Sequence, residues 1–241
     1  MMGKENKAPR ISSGKSSNLS KEAYNDIRKI IFLNEFRPGQ KVAVKKLAER
    51  QNMSLTPVVQ ALKIFEHLGI VRHETNKGFF IRRVTARRVE EIYRLREMIE
   101  LSLVPDIIKR LDEHGEEKLK NALDGYFSAS RTKSIKVRLA KDINFHITMA
   151  KLSNQPTSVW ILKYLYDLLY LRSDSELITY RPNDQSGKEH QAIFDSVLSR
   201  DMKQTKKIMQ RHIRKICKGM VGGLNKRETK IEDIDFEDVN F

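Results

Sequence analysis

The chain has 241 residues, 39% of them hydrophobic, enough for one large core or two modest ones, and two domains are expected. Its formal charge of +15 and pI near 9.8 favour an anionic partner, nucleic acid or a membrane surface, over a neutral one. No apolar run reaches the roughly 18 residues of a membrane span, the N-terminal stretch holds no export-signal core, and the single cysteine, Cys217, excludes an internal disulfide and a thiolate metal cluster, so the sequence reads as cytoplasmic.

Residues 1–18 combine Ser, Gly, Pro and Lys with hardly any apolar side chain and read as a flexible basic arm. From Leu19 the pattern turns helical: Ser20 can cap, and Ala23, Ile27, Ile30 and Ile31 recur at three- and four-residue steps until Arg37-Pro38-Gly39. A short helix over 44–51 turns Leu47 and Ala48 inward and Lys45, Lys46 and Arg50 outward. The next helix has Thr56 placed as N-cap and Pro57 at its first position, a core stripe of Val58, Ala61, Leu62, Phe65 and Leu68, and Gly69 as a left-handed stop. Short strands over 70–73 and 79–82 flank the Asn76-Lys77-Gly78 turn. After Thr85 only helical periodicity follows, as six helices over about 85–111, 116–130, 135–152, 156–179, 185–199 and 201–222. Their breaks fall at His114-Gly115, Asn154-Gln155-Pro156, Arg181-Pro182-Asn183 and Ser199-Arg200-Asp201, with Gly222-Gly223 closing the last helix. The expected fold is mainly α: an arm (1–18), a winged helix-turn-helix with a small β wing (19–84), an all-α bundle of about six helices (85–224) and a disordered acidic tail (225–241).

Thirteen Lys and Arg stand against six Asp and Glu between Leu19 and Val84. Lys45, Lys46 and Arg50 flank the turn, and Arg72, Lys77, Arg82 and Arg83 lie on the wing, so both edges of a recognition helix would face phosphate. An ordinary solvated face is the competing reading.

The run PGQKVAVKKLAERQNMSLTPVVQALKIFEHLGIVRHETNKGFFI resembles the winged-helix domain of the GntR family of bacterial transcriptional regulators. The resemblance rests on Pro38-Gly39, Leu47-Ala48, Ser54, Thr56-Pro57-Val58, Ala61-Leu62, the step from Leu68 to Val71, and Gly78. It implies binding to double-stranded DNA as a dimer on two half-sites. Where the family usually carries two arginines this chain has Leu55 and Val59, and Val44 replaces a common acid. Arginine to guanine contributes roughly 1–3 kcal/mol of discrimination per bidentate pair. With Leu55, Thr56, Val59, Gln60 and Lys63 on the groove-facing side, the expectation is an operator unlike the family's usual one and richer in A·T.

Asp142 and His146 stand four apart on one helical face. His146, His190 and His212 each sit on an apolar, inward-facing stripe, and for any one of them a hydrogen-bonded core histidine is the simpler account. Three inward histidines with an inward carboxylate favour a shared ion. The segments REMIE, DINFH, EHQAIFDSVLSRD and MQRHI resemble the all-helical ligand domain of the FadR-like branch in its metal-binding subgroup. That resemblance implies Asp142, His146, His190 and His212 as ligands of a divalent transition metal (zinc, nickel, manganese or iron, zinc slightly ahead). It also implies a small organic acid completing the metal shell, held by Arg96; an Arg96–Glu100 ion pair at helical spacing is the alternative.

These features together predict a repressor modulated by metal and a small carboxylate metabolite. Two other readings stay open: an architectural DNA binder with a purely structural metal, and a helical-bundle metalloenzyme. Against the enzyme, the sequence has neither paired Glu-x-x-His motifs nor a distinctive general base.

Overall fold

A computed structural model of the chain describes residues 13–33, 35–132, 134–171 and 183–232. The chain divides into two compact units, Met1–Arg82 and Arg83–Phe241. Among the described residues no helix is long and apolar enough to cross a membrane.

The first unit runs α1 (Ser13–Phe32), α2 (Val44–Arg50), α3 (Leu55–His67), β1 (Val71–Glu74) and β2 (Gly78–Ile81). Its core is the seam between α1 and α3: Ala23, Ile27 and Ile31 face Val58, Ala61, Leu62 and Phe65, all buried, and the Tyr24 ring stacks on Phe65 at 4.5 Å. Burying one such side chain contributes about 1.5–3 kcal/mol, so this seam carries much of the unit's stability. β1 and β2 pair antiparallel, Val71 opposite Ile81 and Glu74 opposite Gly78. Gly69 has φ +71°, the left-handed stop expected of it.

Three details of this unit differ from the sequence reading. α1 begins at Ser13, inside the stretch read as an arm, because extending a nucleated helix by one residue is far easier than starting it. Ser20 is therefore mid-helix, and its hydroxyl donates to Gln60 Oε1 on α3. The N-cap of α3 is Ser54, with extended backbone (φ −71°, ψ 167°), so Thr56 and Pro57 are its second and third residues. Pro57 costs nothing there either, since the first N–H groups of a helix have no intrahelical acceptor.

The second unit contains α4 (Ala86–Arg110), α5 (Glu113–Ser130), α6 (Ile135–Leu152), α7 (Pro156–Tyr170), α8 (Asn183–Leu198) and α9 (Met202–Glu232). α4 lies at the centre, packed on α9, α7 and α6, while α5 joins α6 to α8. α4 and α6 are capped by Thr85 and Ser134. Arg200 at the α8–α9 turn, with φ +58°, donates to the carbonyls of Ile108 and Leu111 at 3.0 and 2.9 Å, binding that turn to the end of α4.

His114-Gly115 is no break. Asp112 caps α5 by accepting from Gly115 N at 2.7 Å, and the position is tight: a Cβ would stand 3.1 Å from Asp112 Oδ1 and 3.2 Å from Leu152 Cδ2, so those side chains would have to give by a few tenths of an ångström. Gly222-Gly223 does not close α9, which continues to Glu232 through the start of the predicted tail. Met220 and Leu224 are buried on either side of the pair, and that packing offsets the roughly 1 kcal/mol each helical glycine costs. The distal part of the predicted 156–179 helix beyond Leu171, the Arg181-Pro182 signal, residues 1–12 of the arm and residues 233–241 of the tail lie outside the described residues.

Candidate metal centre and DNA-binding surface

The interior of the second unit brings together the four residues read from the sequence. Asp142 and His146 come from α6, His190 from α8 and His212 from α9, and one ligand atom from each lies within 4.8 Å of all the others. The three histidines are fully buried, whereas the Asp142 side chain keeps 20% of its surface exposed. Phe145 meets His190 edge-on at 5.0 Å and Tyr126 tilts against it at 4.2 Å, so aromatic rings wall the cluster.

The hydrogen bonds behind the histidines set their tautomers. His146 Nδ1 donates to Glu100 Oε2 at 2.8 Å, His212 Nδ1 to Glu189 Oε2 at 2.9 Å, and His190 Nδ1 to the Ser186 carbonyl at 2.8 Å. Each Nδ1 therefore carries the proton, and in the neutral ring Nε2 presents a bare lone pair. Those lone pairs converge: His146 Nε2 and His212 Nε2 stand 3.3 Å apart, and His190 Nε2 lies 3.1 Å from Asp142 Oδ1 without the alignment of a hydrogen bond. A shared proton could bridge His146 and His212 and would still leave the buried His190 Nε2 without a partner. A cation answers all four groups. Around an ion about 2.1 Å from each donor, neighbouring donors stand roughly 3.0–3.4 Å apart, as the His146–His212 and His190–Asp142 pairs do, and the whole set lies within 4.8 Å.

Charge in the layer behind supports the same arrangement. Burial pushes the Glu100 carboxyl up, but His146 and Arg96 outweigh it and bring it down to about 2. Burial likewise opposes Glu189, which His212 and Lys215 bring to about 2. Burial drives His212 down to about 4 despite Glu189, keeping it neutral at physiological pH.

Arg96 is buried and fully committed: Nε donates to Glu100 Oε1 at 3.0 Å, Nη2 to the Tyr166 hydroxyl at 2.7 Å, and the guanidinium lies over the Tyr93 and Tyr166 rings. The structure thus has the ion pair held open as the alternative. Glu100 and Glu189 were missed as proton acceptors for the ligands. The available signal was weak: Glu100 follows Arg96 by one helical turn, and Glu189 immediately precedes His190.

In the first unit, Lys45 and Lys46 on α2 and Leu55, Thr56, Gln60 and Lys63 on α3 are exposed, Leu55 at 47%, and Val59 is half-buried. The five α3 residues share one helical face. Arg50 is bound by Glu35 through both terminal guanidinium nitrogens, Gln60 accepts from Ser20, and Lys77 stands 3.6 Å from Glu74 at the wing. Lys45, Lys46 and Lys63 make no ion pair among the described residues, so they are the cations most available to phosphate.

The family of bacterial regulatory proteins called gntR matches residues 19–81, and the FCD domain family matches residues 91–215, more than half of the chain. The chain is a GntR-family regulator with an FCD domain. It is 25% identical over 201 residues to the uncharacterized HTH-type transcriptional regulator YdhC of Bacillus subtilis, covering 80% of this chain and 87% of that one. To the HTH-type transcriptional regulator McbR of Escherichia coli it is 24% identical over 166 residues, 64% of this chain and 75% of the relative. The solved structure of E. coli McbR/YncC superposes with a TM-score of 0.74 at 19% identity, covering 87% of this chain and 98% of that one. Lar, which controls expression of the Listeria monocytogenes agr system, superposes at 0.59 and 18% identity, covering 89% and 98%. The winged helix-turn-helix followed by a helical domain is thus shared architecture, and the chain is a DNA-binding transcriptional regulator.

Proposed function

We propose that this regulator is a cytoplasmic, dimeric repressor whose helical domain holds a divalent transition metal, zinc slightly ahead of nickel, manganese or iron, on Asp142, His146, His190 and His212. One observation carries this reading: three buried imidazoles have their Nδ1 protons taken by Glu100, Glu189 and the Ser186 carbonyl, so that three Nε2 lone pairs and the Asp142 carboxylate face one point. A bound ion would supply a Lewis-acidic anchor for a small organic acid. The chain's residues do the rest: Glu100 and Glu189 hold the rings in register, Phe145 and Tyr126 exclude water, and Arg96, joined to His146 through Glu100, is a fixed positive charge that attracts an incoming carboxylate. The acid modulates operator binding by favouring one placement of the paired winged domains over another, and only its differential affinity for the two can do this. On DNA, Lys45, Lys46, Lys63 and Lys77 meet phosphate, and Leu55, Thr56, Val59 and Gln60 face the bases.

Native mass spectrometry of the purified protein, with operator titrations across a panel of small carboxylic acids, tests this. The expectation is a dimer carrying one metal per chain and at least one acid that changes DNA affinity. A metal-free protein that binds operator as well as the loaded one would overturn it. The commitment of Arg96 to Glu100 and Tyr166 favours one further reading, a purely structural metal in a low-specificity DNA binder. Metal bound, with DNA affinity unmoved by every acid, would select it.

A further inference from the structure

Gln60 lies on the exposed side of α3, and among the described residues its carboxamide has one partner: Oε1 accepts from the Ser20 hydroxyl of α1. The contact belongs to the packing of the two helices. Ala61, beside Gln60, and Ala23, a turn on from Ser20, are fully buried, and such small side chains let the helices come close. In the next turn of each helix the Tyr24 ring stacks on Phe65 at 4.5 Å, which fixes the register that sets Ser20 against Gln60.

A glutamine amide has two unlike edges, an oxygen that accepts and an NH2 group that donates. Reading adenine in the major groove takes both: Nε2 gives to N7 while Oε1 accepts from the N6 amino group. With Oε1 drawn toward α1, the edge left for the groove is the donor alone. A donor can give to N7 of either purine. Guanine adds a second acceptor, O6, beside its N7, whereas the N6 amino group of adenine would have to take Oε1 from Ser20, one hydrogen bond exchanged for another with little net gain.

We infer that Ser20, which itself reads no base, is a positioning residue that determines specificity: by holding Gln60 Oε1 it removes this glutamine's preference for adenine and leaves a purine contact through N7. The inference rests on the reading that Gln60 faces the bases. It concerns the single base that Gln60 meets and leaves the preference argued from Leu55 and Val59 as it stands.

The test is selection of binding sites from random DNA by four forms of the full chain: unaltered, Gln60→Ala, Ser20→Ala and Ser20→Thr. Alanine is the best helix former, so both alanine variants keep their helices. Gln60→Ala marks the base in question, as the position where the preference for a purine is lost. There the unaltered protein should take guanine as readily as adenine. Ser20→Ala frees the amide to pair through both edges and should favour adenine over guanine roughly fivefold or more. Ser20→Thr keeps the hydroxyl and should match the unaltered protein. A bond that only braced the two helices would change affinity for all sequences alike and move no base preference. Ser20→Ala with the base profile of the unaltered protein therefore overturns the inference while the base-facing reading of Gln60 stands. An unaltered protein that already favours adenine at that position overturns it too, and a Gln60→Ala profile identical to that of the unaltered protein overturns both the inference and the reading beneath it.

Discussion

His146 and His212 face each other through Nε2 at 3.3 Å, each with its Nδ1 proton held by a glutamate from another part of the bundle. Two lone pairs at that distance repel unless something electropositive lies between them. Metal binding by this regulator should therefore be folding energy as well as chemistry. Removing the ion with a strong chelator is expected to lower the melting temperature on the order of 10 °C, and His146→Ala should lose both the metal and this chelator sensitivity. Calorimetry with and without chelator decides; equal melting temperatures would end the metal assignment.

Glu100 and Glu189 act on the ion only through the rings they hold. Glu189→Gln weakens the charge that keeps the His212 Nδ1 proton in place and should reduce metal affinity roughly 10–100-fold with the fold intact. Competition against a chromophoric chelator gives the number, and circular dichroism checks the fold. Affinity equal to that of the unaltered protein would show that the Glu189 contact is incidental.

Arg96→Met separates two roles for one residue. If Arg96 holds Glu100 in place, its loss leaves a buried carboxylate without its cation and should cost about 3–5 kcal/mol in urea unfolding with no acid present. A residue serving only to greet a ligand would leave stability in the absence of ligand unchanged.

Leu55 and Val59 stand where guanine-reading arginines are usual in the family. Selection from random DNA should return half-sites richer in A·T, and Leu55→Arg with Val59→Arg should shift the preference toward guanine by roughly 1–3 kcal/mol per new contact. Recovery of a guanine-centred site by the unaltered protein would contradict this.

Gly69 has φ +71° and nothing within 4 Å of an added Cβ, so Gly69→Ala is opposed by backbone strain alone. A loss of about 1–2 kcal/mol of stability in the winged unit, read by denaturant titration, is the expected result.

Much of this was legible because periodicity reports burial. The stripes around His146, His190 and His212 put all three histidines inside, and the spacing of Asp142 from His146 put both on one face of α6. The partners of Nδ1 were not legible. Glu100 lies 46 residues from His146 and Glu189 lies 23 from His212, so only the packing of α4 on α6 and of α8 on α9 brings them within reach. Glycine misled twice for one reason. It marks a stop when its backbone turns left-handed, as at Gly69, but Gly115 lies in the first turn of α5 in a tight space beside Asp112 and Leu152, and Gly222 is carried along because burial continues on both sides. Sequence alone does not separate these uses.

The Arg200 clasp gives the bundle a fulcrum. With the α8–α9 turn bound to the last carbonyls of α4, any tilt of α9 would pivot at that turn. His212 lies three turns into α9, whereas Glu232 ends its 31 residues. Since displacement grows with distance from the pivot, a small tilt at the histidine is magnified about threefold at the far end of the helix.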